Sequence, residues 1–399
     1  MELASLSIRS RQQGFAAVIM IALVALIIIG VLLGVLTSKS PQNQFDDRSF
    51  PALAAAQQAL IAYAVANPTS PGRLPCPDTT NTGVADLTCG AAGVNQLGRL
   101  PWKTLGLTDL RDGSGECLWY AVSGAFKQNP PSMLVNSDTN GQFIIVDGAG
   151  NTIVGATPQK QVIAVVFAPG PGLPANDRTA VGTTQCGGNT TASNYLDATG
   201  GVDNAAPAGG VATFVAGQPS NTFNDRLVYI TPTQFFPPLE RRVAAEIKKV
   251  LIDYYATNAY YPYANDFTGP TCTPLTTRGL LPLNISAGCP GLADWVGLPP
   301  WISADQWHLL TYYTVAPACT QATPFCTGSG YLTVNNVPAP NNNKQALVIE
   351  AGRKLGGQVR PSPGVVDYLD GAVNTSGTDT YEIQSFSPSF DDTVAIVAP

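Results

Sequence analysis

Near its N-terminus the chain reads Ser7-Ile-Arg-Ser-Arg-Gln-Gln-Gly14, followed directly by Phe15-Ala-Ala-Val-Ile-Met-Ile-Ala-Leu-Val-Ala-Leu-Ile-Ile-Ile-Gly-Val-Leu-Leu-Gly-Val-Leu36. The second segment contains 22 residues and no polar side chain. As a helix rising about 1.5 Å per residue it would be about 33 Å long, which is enough to cross the hydrocarbon core of a bilayer. Arg9 and Arg11 precede it, so the N-terminal arm should stay on the cytoplasmic side. We therefore predict a single membrane helix over residues 15–37.

An ordinary secretory signal peptide does not fit this segment. Such a signal has about 7–15 apolar residues, which are followed by small residues at a cleavage site. Here the apolar run is longer, and Leu36-Thr-Ser-Lys-Ser-Pro41 is a poor site of that kind. Hydropathy alone leaves a simple signal anchor open as an interpretation.

The junction Arg11-Gln-Gln-Gly14-Phe15 resembles the leader junction of type IV prepilins and type II secretion pseudopilins. The resemblance implies that prepilin peptidase cuts after Gly14, which removes the leader 1–14 and leaves Phe15 as an N-methylated first residue. It also implies an inner-membrane helix that later binds other pilin or pseudopilin subunits in a filament. The anchor and assembly residues of this helix include Phe15, Ile19, Leu26 and Leu36.

One position departs from the family pattern. Most members carry Glu as the fifth residue after the cut, and here that residue is Ile19. The glutamate is thought to pair with the terminal ammonium of a neighbouring subunit, and an unpaired carboxylate inside the membrane is costly. Its absence resembles a subset of minor pilins and the pseudopilin at the filament tip. The resemblance therefore implies a minor subunit at or near the tip, acting in assembly priming and in surface contact or adhesion.

The resemblance also implies a location. The chain would cross the inner membrane once with its head in the periplasm, and would then enter an extracellular pilus or a periplasmic pseudopilus. The sequence does not choose between these two filaments. The alternative from another class is a membrane-anchored extracytoplasmic binding or sensor protein that never enters a filament.

Composition and motifs exclude several other classes of protein. Charged residues make up 12% of the 399 residues, and no basic run appears, which disfavours a nucleic-acid partner. The single histidine, His308, excludes a histidine metal cluster. No Gly-x-Ser-x-Gly elbow or Walker-type phosphate loop is present. We therefore predict no enzyme activity and no cofactor, and we assign no residue to a metal site. Calcium binding by a head loop stays open, because residues 78–86 and 138–141 offer oxygen ligands near glycine but lack the spacing of a calcium-loop motif.

Two stretches outside the membrane segment predict helices, over 51–66 and 238–258. Apolar residues recur at helical spacing in both, and Pro238 suits a first turn. The stripes are Leu53, Ala56, Leu60 and Ala64 in the first helix, and Leu239, Val243, Ile247, Leu251 and Tyr254 in the second. We expect the basic residues of the second helix to face water, namely Arg241, Arg242, Lys248 and Lys249. The Gly-rich segment 169–219 predicts a long surface loop.

The chain beyond the membrane segment contains two similar blocks. Leu60-Ile-Ala-Tyr63 aligns with Leu251-Ile-Asp-Tyr254, and six further matches follow in the same order. They are Leu74-Pro-Cys76 with Gly269-Pro-Thr-Cys272, Gly98-Arg-Leu-Pro-Trp102 with Gly297-Leu-Pro-Pro-Trp301, Leu118–Val122 with Leu310–Val315, Lys160-Gln161 with Lys344-Gln345, Tyr195-Leu-Asp197 with Tyr368-Leu-Asp370, and Phe223–Ile230 with Phe390–Val397. The order predicts a tandem duplication.

We therefore expect an α+β fold. A long N-terminal pilin helix, transmembrane in its first half, would lead into two pilin-like heads of antiparallel β-sheet packed on a helix and held by disulfides. The predicted units are a leader (1–14), a membrane helix (15–37), a first head (38–235, with helix 51–66) and a second head (236–399, with helix 238–258).

Eight cysteines in an exported head indicate disulfide bonds. Cys76 and Cys89 occupy places that correspond to Cys272 and Cys289, so we predict the pairs Cys76–Cys89 and Cys272–Cys289. For the remaining four cysteines we predict one disulfide that closes a short loop, Cys319–Cys326, and one that closes a longer loop, Cys117–Cys186. No Cys-x-x-Cys pair occurs, which disfavours zinc.

Aromatic residues are concentrated in the second block. They include Tyr260, Tyr261, Tyr263, Trp295, Trp301 and Trp307. Such a set is more often core than surface, but it could instead form a contact surface for a protein or surface ligand on the distal head. His308 lies among these residues, and we expect it in a strand or at the entry to a strand, as a structural histidine.

Overall fold

The computed structural model describes residues 41–131, 134–182, 185–267, 276–283 and 297–398, so the membrane helix predicted over 15–37 lies outside the described residues. The described chain is α+β, with helices α1 (Pro41–Ala66), α2 (Pro232–Asn258) and α3 (Pro300–Ala304). The described strands are β1 (Gln96–Arg99), β2 (Trp119–Val122), β3 (Phe143–Asp147), β4 (Thr152–Val154), β5 (Ala164–Ala168), β6 (Ala198–Thr199), β7 (Val202–Asp203), β8 (Ala212–Ala216), β9 (Arg226–Ile230), β10 (Arg278–Leu280), β11 (Thr311–Val315), β12 (Leu332–Val334), β13 (Asn343–Lys344), β14 (Ala346–Glu350), β15 (Thr380–Tyr381) and β16 (Thr393–Ala398). We call residues 41–231 the first lobe and residues 259–398 the second lobe, with α2 between them.

Helix α1 packs along its described length on the first lobe. The predicted apolar stripe is confirmed as fully buried, and it consists of Leu53, Ala56, Leu60 and Ala64. Phe45 and Ser49 are also buried and extend the stripe towards the N-terminus at four-residue spacing. Asp46 adds an ion pair with Arg226 of β9 at 2.9 Å. The polar stretch before residue 51 therefore belongs to the same helix and contacts the same sheet.

Helix α2 begins at Pro232, six residues before the predicted start at Pro238. Thr231 and Gln234 form a capping box there, in which the Thr231 N–H donates to the Gln234 side chain at 2.9 Å. Pro232 takes the first helical position, where the N–H that proline lacks has no intrahelical partner. The predicted boundary between the heads at 235/236 therefore falls inside a helix.

Arg242 of α2 does not face water as predicted. Its Nη1 donates to the main-chain carbonyls of Val65 and Asn67, the latter at 2.7 Å, where α1 ends. Carbonyls at a helix C-terminus have no partner within the helix, so the guanidinium satisfies groups that α1 leaves open. The same guanidinium lies 5.7 Å from the ring centroid of Trp301. Arg242 thus joins both helices to the second lobe.

Each lobe contains a four-stranded antiparallel sheet of the same order. The order is β1-β2-β5-β9 in the first lobe and β10-β11-β14-β16 in the second. Helix α1 packs on β5 and β9, and α2 packs on β14 and β16. The lobes therefore repeat one arrangement of a helix on a sheet.

Hydrogen bonds show which residues of the two lobes are equivalent. The Tyr120 hydroxyl donates to the carbonyl of Pro75 at 3.3 Å, and the Tyr313 hydroxyl donates to that of Pro262 at 2.9 Å. Pro75 therefore corresponds to Pro262. Residues 269–272, which the sequence matches to Leu74–Cys76 through a shared Pro and Cys, lie outside the described residues.

The first strands of the two sheets correct one of the predicted matches. Gly98 of β1 and Gly279 of β10 occupy the same position beside β2 and β11. A Cβ atom would lie 3.0 Å from the Asp78 carbonyl oxygen at Gly98 and 1.9 Å from the Asn265 carbonyl oxygen at Gly279. Both positions need glycine because another chain segment crosses closely there. The predicted match of Gly98–Trp102 with Gly297–Trp301 is therefore wrong.

The third strands show a smaller error. Ala164 of β5 lies opposite Val122, and Ala346 of β14 lies opposite Val315. The matched Lys-Gln pairs precede these alanines by different numbers of residues, so that match is out of register. Two lobes can carry the same residue types next to a strand although those residues do not occupy equivalent positions in the strand pairing.

The segment 169–219 is not a surface loop throughout, contrary to the prediction. Strand β8 lies within it and pairs in parallel with β3. Phe214 of β8 is fully buried, with ring centroids 5.0 Å from Phe143 and 5.1 Å from Phe167. A few apolar residues in a Gly-rich segment are enough to build this layer over the first sheet.

One hydrophobic cluster extends through both lobes. Phe126 of the first lobe packs edge-on against Phe235 of α2, with centroids 5.4 Å apart. Leu239 and Val243 of α2 belong to the same cluster as Tyr313 of the second sheet. The described residues of the two lobes are therefore packed together through α2.

Candidate functional site

The predicted processing and anchor residues lie outside the described residues. These are Gly14, Phe15, Ile19, Leu26 and Leu36. Within the described part, α1 is long and apolar enough to span a membrane, which is compatible with a single-pass anchor. Its buried stripe, however, packs on β5 and β9, so we keep the membrane segment at 15–37 as a prediction.

Three disulfides join the described cysteines. The pairs are Cys76–Cys89, Cys117–Cys186 and Cys319–Cys326, with sequence separations of 13, 69 and 7 residues. These are the pairs that the sequence predicts for those six cysteines. The pair predicted between Cys272 and Cys289 lies outside the described residues.

Three residues of the aromatic set belong to the core. Tyr261, Trp301 and Trp307 are at most 5% exposed, so they cannot form the contact surface considered from the sequence. Trp295 lies outside the described residues. His308 lies in a 3-10 turn (Trp307–Leu309) that leads into β11 (Thr311–Val315), which is the strand-entry position that the sequence predicts. Burial lowers the pKa of His308, as expected of a structural histidine.

Several buried polar contacts between the lobes converge on the first-lobe segment 134–140. Asp305 Oδ1 accepts hydrogen bonds from the Val135 N–H at 2.9 Å and from Arg73 Nη2 at 3.3 Å. The Asp305 carbonyl accepts one from Asn136 Nδ2 at 2.9 Å. Asp305 is 6% exposed and the Arg73 guanidinium pairs with it, so the charge is compensated.

Arg353 holds the same segment from the other side. Its Nη1 donates to the carbonyls of Ser137 (2.9 Å) and Thr139 (2.8 Å), and its Nη2 donates to Asn140 Oδ1 (2.7 Å). All three acceptors are uncharged, and burial lowers the pKa of Arg353 to about 10. Lys354 adds an ion pair with Asp138 at 3.3 Å.

Glu240 of α2 is a buried acid at this junction. Its two carboxyl oxygens accept hydrogen bonds from the Ser137 hydroxyl of the first lobe at 2.8 Å and the Thr393 hydroxyl of the second at 3.2 Å. The side chain is 1% exposed, and burial raises the pKa of Glu240 to about 8. At neutral pH this group therefore holds a proton.

A cleft of about 860 Å³ opens between the lobes above Glu240 and Arg353. The residues that line it come from the loop before β5, the first turns of α2, and the segments after β14 and before β16. They are Thr157, Gln159, Lys160, Pro232, Thr233, Phe236, Pro237, Glu240, Arg353, Lys354, Leu355, Gly356, Gly357, Gln358, Phe386, Ser387, Pro388 and Asp391. The cleft combines an apolar wall with several donors and two carboxyl groups.

A polar motif repeats in the two lobes beside their last strands. Arg178 Nη1 donates to the Gly170 carbonyl at 2.8 Å, and Arg360 Nη1 donates to the Gly352 carbonyl at 2.9 Å. Each arginine also lies over a tyrosine of a Tyr-Leu-Asp match, with distances to the ring centroid of 4.7 and 5.7 Å. The predicted match of Tyr195-Leu-Asp197 with Tyr368-Leu-Asp370 is therefore confirmed. The match of Phe223–Ile230 with Phe390–Val397 is in register where the last strands begin, since Arg226 lies opposite Ala168 and Thr393 opposite Glu350, but a register shift places Ala398 rather than Val397 opposite Ala346.

The two copies of the motif differ at one residue that lines the cleft. The Asn224 N–H donates to Asp197 at 2.9 Å, and the Asp391 N–H donates to Asp370 at 3.0 Å. Carboxyl oxygens of Asp370, Asp391 and Asp392 lie within 4.8 Å of one another. Burial and repulsion from Asp370 raise the pKa of Asp391 to about 7. The second copy thus carries one more acid than the first.

The sequence did not predict the cleft, because its charged residues come from separate segments and form no recognisable spacing pattern. One signal was present: Glu240 precedes Val243 and Ile247 by three and seven residues, which places it on the buried face of α2. Arg353 had no such signal, since it follows a strand in an irregular segment.

Comparisons with family models, with curated proteins and with solved structures found no match to this chain.

Proposed function

We propose that this chain is a minor subunit of a type IV pilus or a type II secretion pseudopilus. It would be held in the inner membrane by residues 15–37 and then enter the filament. The observation that carries the proposal is the junction Gly14–Phe15, in which a short basic leader meets an uninterrupted apolar run. A simple anchor has no need of glycine at that point.

The described structure is compatible with this role. Helix α1 follows the apolar run in sequence and is fixed to the first lobe by the Asp46–Arg226 ion pair and by its buried stripe. Arg242 fixes the end of α1 to α2. A filament core built from the N-terminal helices would therefore place both lobes at a fixed position on its surface.

The proposed position is the filament tip, where the subunit would prime assembly and contact a surface. Ile19 lacks the carboxylate that would pair with a preceding subunit, and a first subunit has no such neighbour. A subunit with two lobes would also be difficult to repeat along the filament, because neighbouring subunits would have to leave space for two lobes on each helix.

Filament incorporation can be tested with one substitution at the junction. The Gly14→Val chain is expected to remain in the membrane fraction, whereas the unchanged chain co-purifies with the most abundant filament subunit. Gly34→Val, which makes the same change at a glycine within the apolar run, is the control and should behave like the unchanged chain. If the unchanged chain never co-purifies with filaments, or if Gly14→Val does so equally well, the proposal is wrong.

The second candidate is a membrane-anchored binding or sensor protein, and the cleft between the lobes favours it. The cleft is lined by residues of both lobes, so its occupation could affect how they pack. This candidate shares the membrane helix and predicts no leader cut and no filament.

A further inference from the structure

The rim of the cleft is positively charged. Lys160 is exposed there, and its ammonium forms no ion pair with any residue that the structure describes. Lys354 and Arg353 line the opposite side, and Arg353 Nε has no hydrogen-bond partner in the described part of the chain. The basic groups come from both lobes, so an anion in the cleft would interact with both.

A glycine turn adds main-chain donors. Gly356 and Gly357 have φ angles of 55° and 93°, and the Gln358 N–H closes the turn on the Leu355 carbonyl at 2.9 Å. Within the described residues, neither glycine N–H has a hydrogen-bond partner. A Cβ on either glycine would meet nothing within 4 Å, so the space beside the turn is open. Consecutive free N–H groups in such a turn are suited to an anion.

The two acids of the cleft do not cancel this charge at neutral pH. Burial raises the pKa of Glu240 to about 8 and that of Asp391 to about 7. Glu240 is therefore mainly protonated near pH 7, and Asp391 is partly so. Lys160, Lys354 and Arg353 contribute positive charges to the same cleft, and Asp138 partly neutralises Lys354. The cleft is therefore net positive.

The lining also has an accessible apolar part. Pro237 of α2 and Phe386 and Pro388 of the second lobe belong to it, and the Phe386 side chain remains 46% exposed, whereas Phe236 beneath them is only 1% exposed. The volume of about 860 Å³ is within the range of about 300–1,000 Å³ that small-molecule sites usually occupy. An exposed ring in such a site is available for the apolar part of a ligand.

We propose that the cleft binds a small amphiphilic carboxylate, whose apolar body packs on Phe386 and Pro237 and whose carboxylate lies between Lys160 and the Gly356–Gly357 turn. This inference goes beyond filament assembly and does not depend on it. It applies equally to an anchored protein that never enters a filament.

The probe for this site is 4-phenylbutyrate, added to the full chain in nanodiscs and measured by isothermal titration calorimetry against empty nanodiscs. The neutral 4-phenylbutanamide has the same apolar body and should bind about tenfold or more weakly, because it lacks the charge. The cationic 4-phenylbutylammonium should not bind measurably.

Two exposed substitutions locate the site. Lys160→Met and Phe386→Ser should each raise the Kd for 4-phenylbutyrate by about fivefold or more. Lys249→Met is the control for a lost exposed charge, and Phe50→Ser is the control for a lost aromatic ring, since Phe50 is also 46% exposed. Neither control should change the Kd. Equal melting temperatures without the probe show that all four variants fold.

Three results would overturn the proposal. One is that 4-phenylbutyrate does not bind to the unchanged chain. Another is that it binds no better than the amide. The third is that Lys160→Met and Phe386→Ser behave like their controls. A failure of filament incorporation would change none of these measurements, so the two proposals fail independently.

Discussion

Glu240 is a carboxyl group enclosed between Ser137 of the first lobe and Thr393 of the second. The charged and titratable groups near it are Arg353, Asp391 and Glu350. Burial has the largest influence on Glu240 and favours the protonated form. The protonation of this one residue therefore links pH to the packing of the lobes.

Glu240 should make the protein less stable as pH rises. The folded residue keeps its proton up to about pH 8, whereas an unfolded glutamate releases it near pH 4.5. Between these values the folded state binds more protons, so the free energy of unfolding falls by up to about 1.4 kcal/mol per pH unit through this group. Above about pH 8 its contribution becomes constant.

Glu240→Gln should remove this pH dependence, since glutamine is neutral and its oxygen can accept one of the two hydrogen bonds. Urea unfolding between pH 5 and 8 should show the variant gaining stability relative to the unchanged chain as pH rises. Asp253→Asn, at an exposed position of α2, is the control and should give a constant difference. A constant difference for Glu240→Gln as well would contradict the assignment.

The contacts of individual side chains were the features of the structure that the sequence predicted least well. The repeated motif around Arg178 and Arg360 depends on contacts between residues far apart in sequence, such as Arg360 with the Gly352 carbonyl. Propensity and spacing carry no information on such contacts. The Tyr-Leu-Asp match was visible in the sequence, but its hydrogen bonds to the last strand were not.

At the scale of elements, helices are anchored by their buried stripes and irregular segments by disulfides. Cys117–Cys186 joins β2's N-terminal side to the segment before β6, across 69 residues. Cys319–Cys326 closes a turn of only 7 residues. A longer closed loop removes more conformational entropy from the unfolded chain.

Loss of the Cys117–Cys186 disulfide should therefore lower the free energy of unfolding more than loss of the Cys319–Cys326 disulfide. Replacing Cys117 and Cys186 together by Ser should lower the free energy of unfolding by about 4 kcal/mol, and the same change at Cys319 and Cys326 by about 2–3 kcal/mol. Denaturant unfolding under non-reducing conditions measures both. The reverse order of the two losses would show that loop entropy is not the main contribution.

The sequence predicted which face of a helix is buried where the apolar residues recur regularly. It did not predict where the helices and strands begin and end. The stripe from Leu239 to Tyr254 is buried as the spacing predicts. The start of α2 was wrong by six residues because a capping box at Thr231 stabilises a helix that continues through Pro237 and Pro238. Strand β8 was missed because its Gly-rich surroundings hide a short apolar run.

At the scale of the whole molecule, the two lobes share one hydrophobic cluster and the polar contacts of segment 134–140. Neither lobe is complete without α2, since Phe235 packs on Phe126 of the first lobe and Leu251 lies in the same cluster as the second sheet. Such packing should make the lobes unfold together.

We therefore expect one cooperative thermal transition for the full chain in nanodiscs. Differential scanning calorimetry should give a calorimetric enthalpy equal to the van't Hoff enthalpy, because no lobe unfolds alone. Two separated transitions, or a van't Hoff enthalpy near half the calorimetric one, would show that the lobes are independent.

The repeat was visible in the sequence, although part of its register was wrong. Matches in or beside the last strands kept their register because buried Tyr and Asp residues recur there, as at Tyr195 and Tyr368. The matches at Gly98–Trp102 and at Lys160-Gln161 failed, because these residue types recur beside the strands without sharing their pairing. How the lobes pack through α2 required the structure.

The N-terminal residue and the intact mass of the chain, purified from native membranes or filaments, show whether it is processed as a prepilin. We expect a mature chain that begins with N-methylated Phe15 and lacks residues 1–14. A chain that still begins at Met1, in cells whose prepilin peptidase is active, would contradict it and leave a membrane-anchored binding protein.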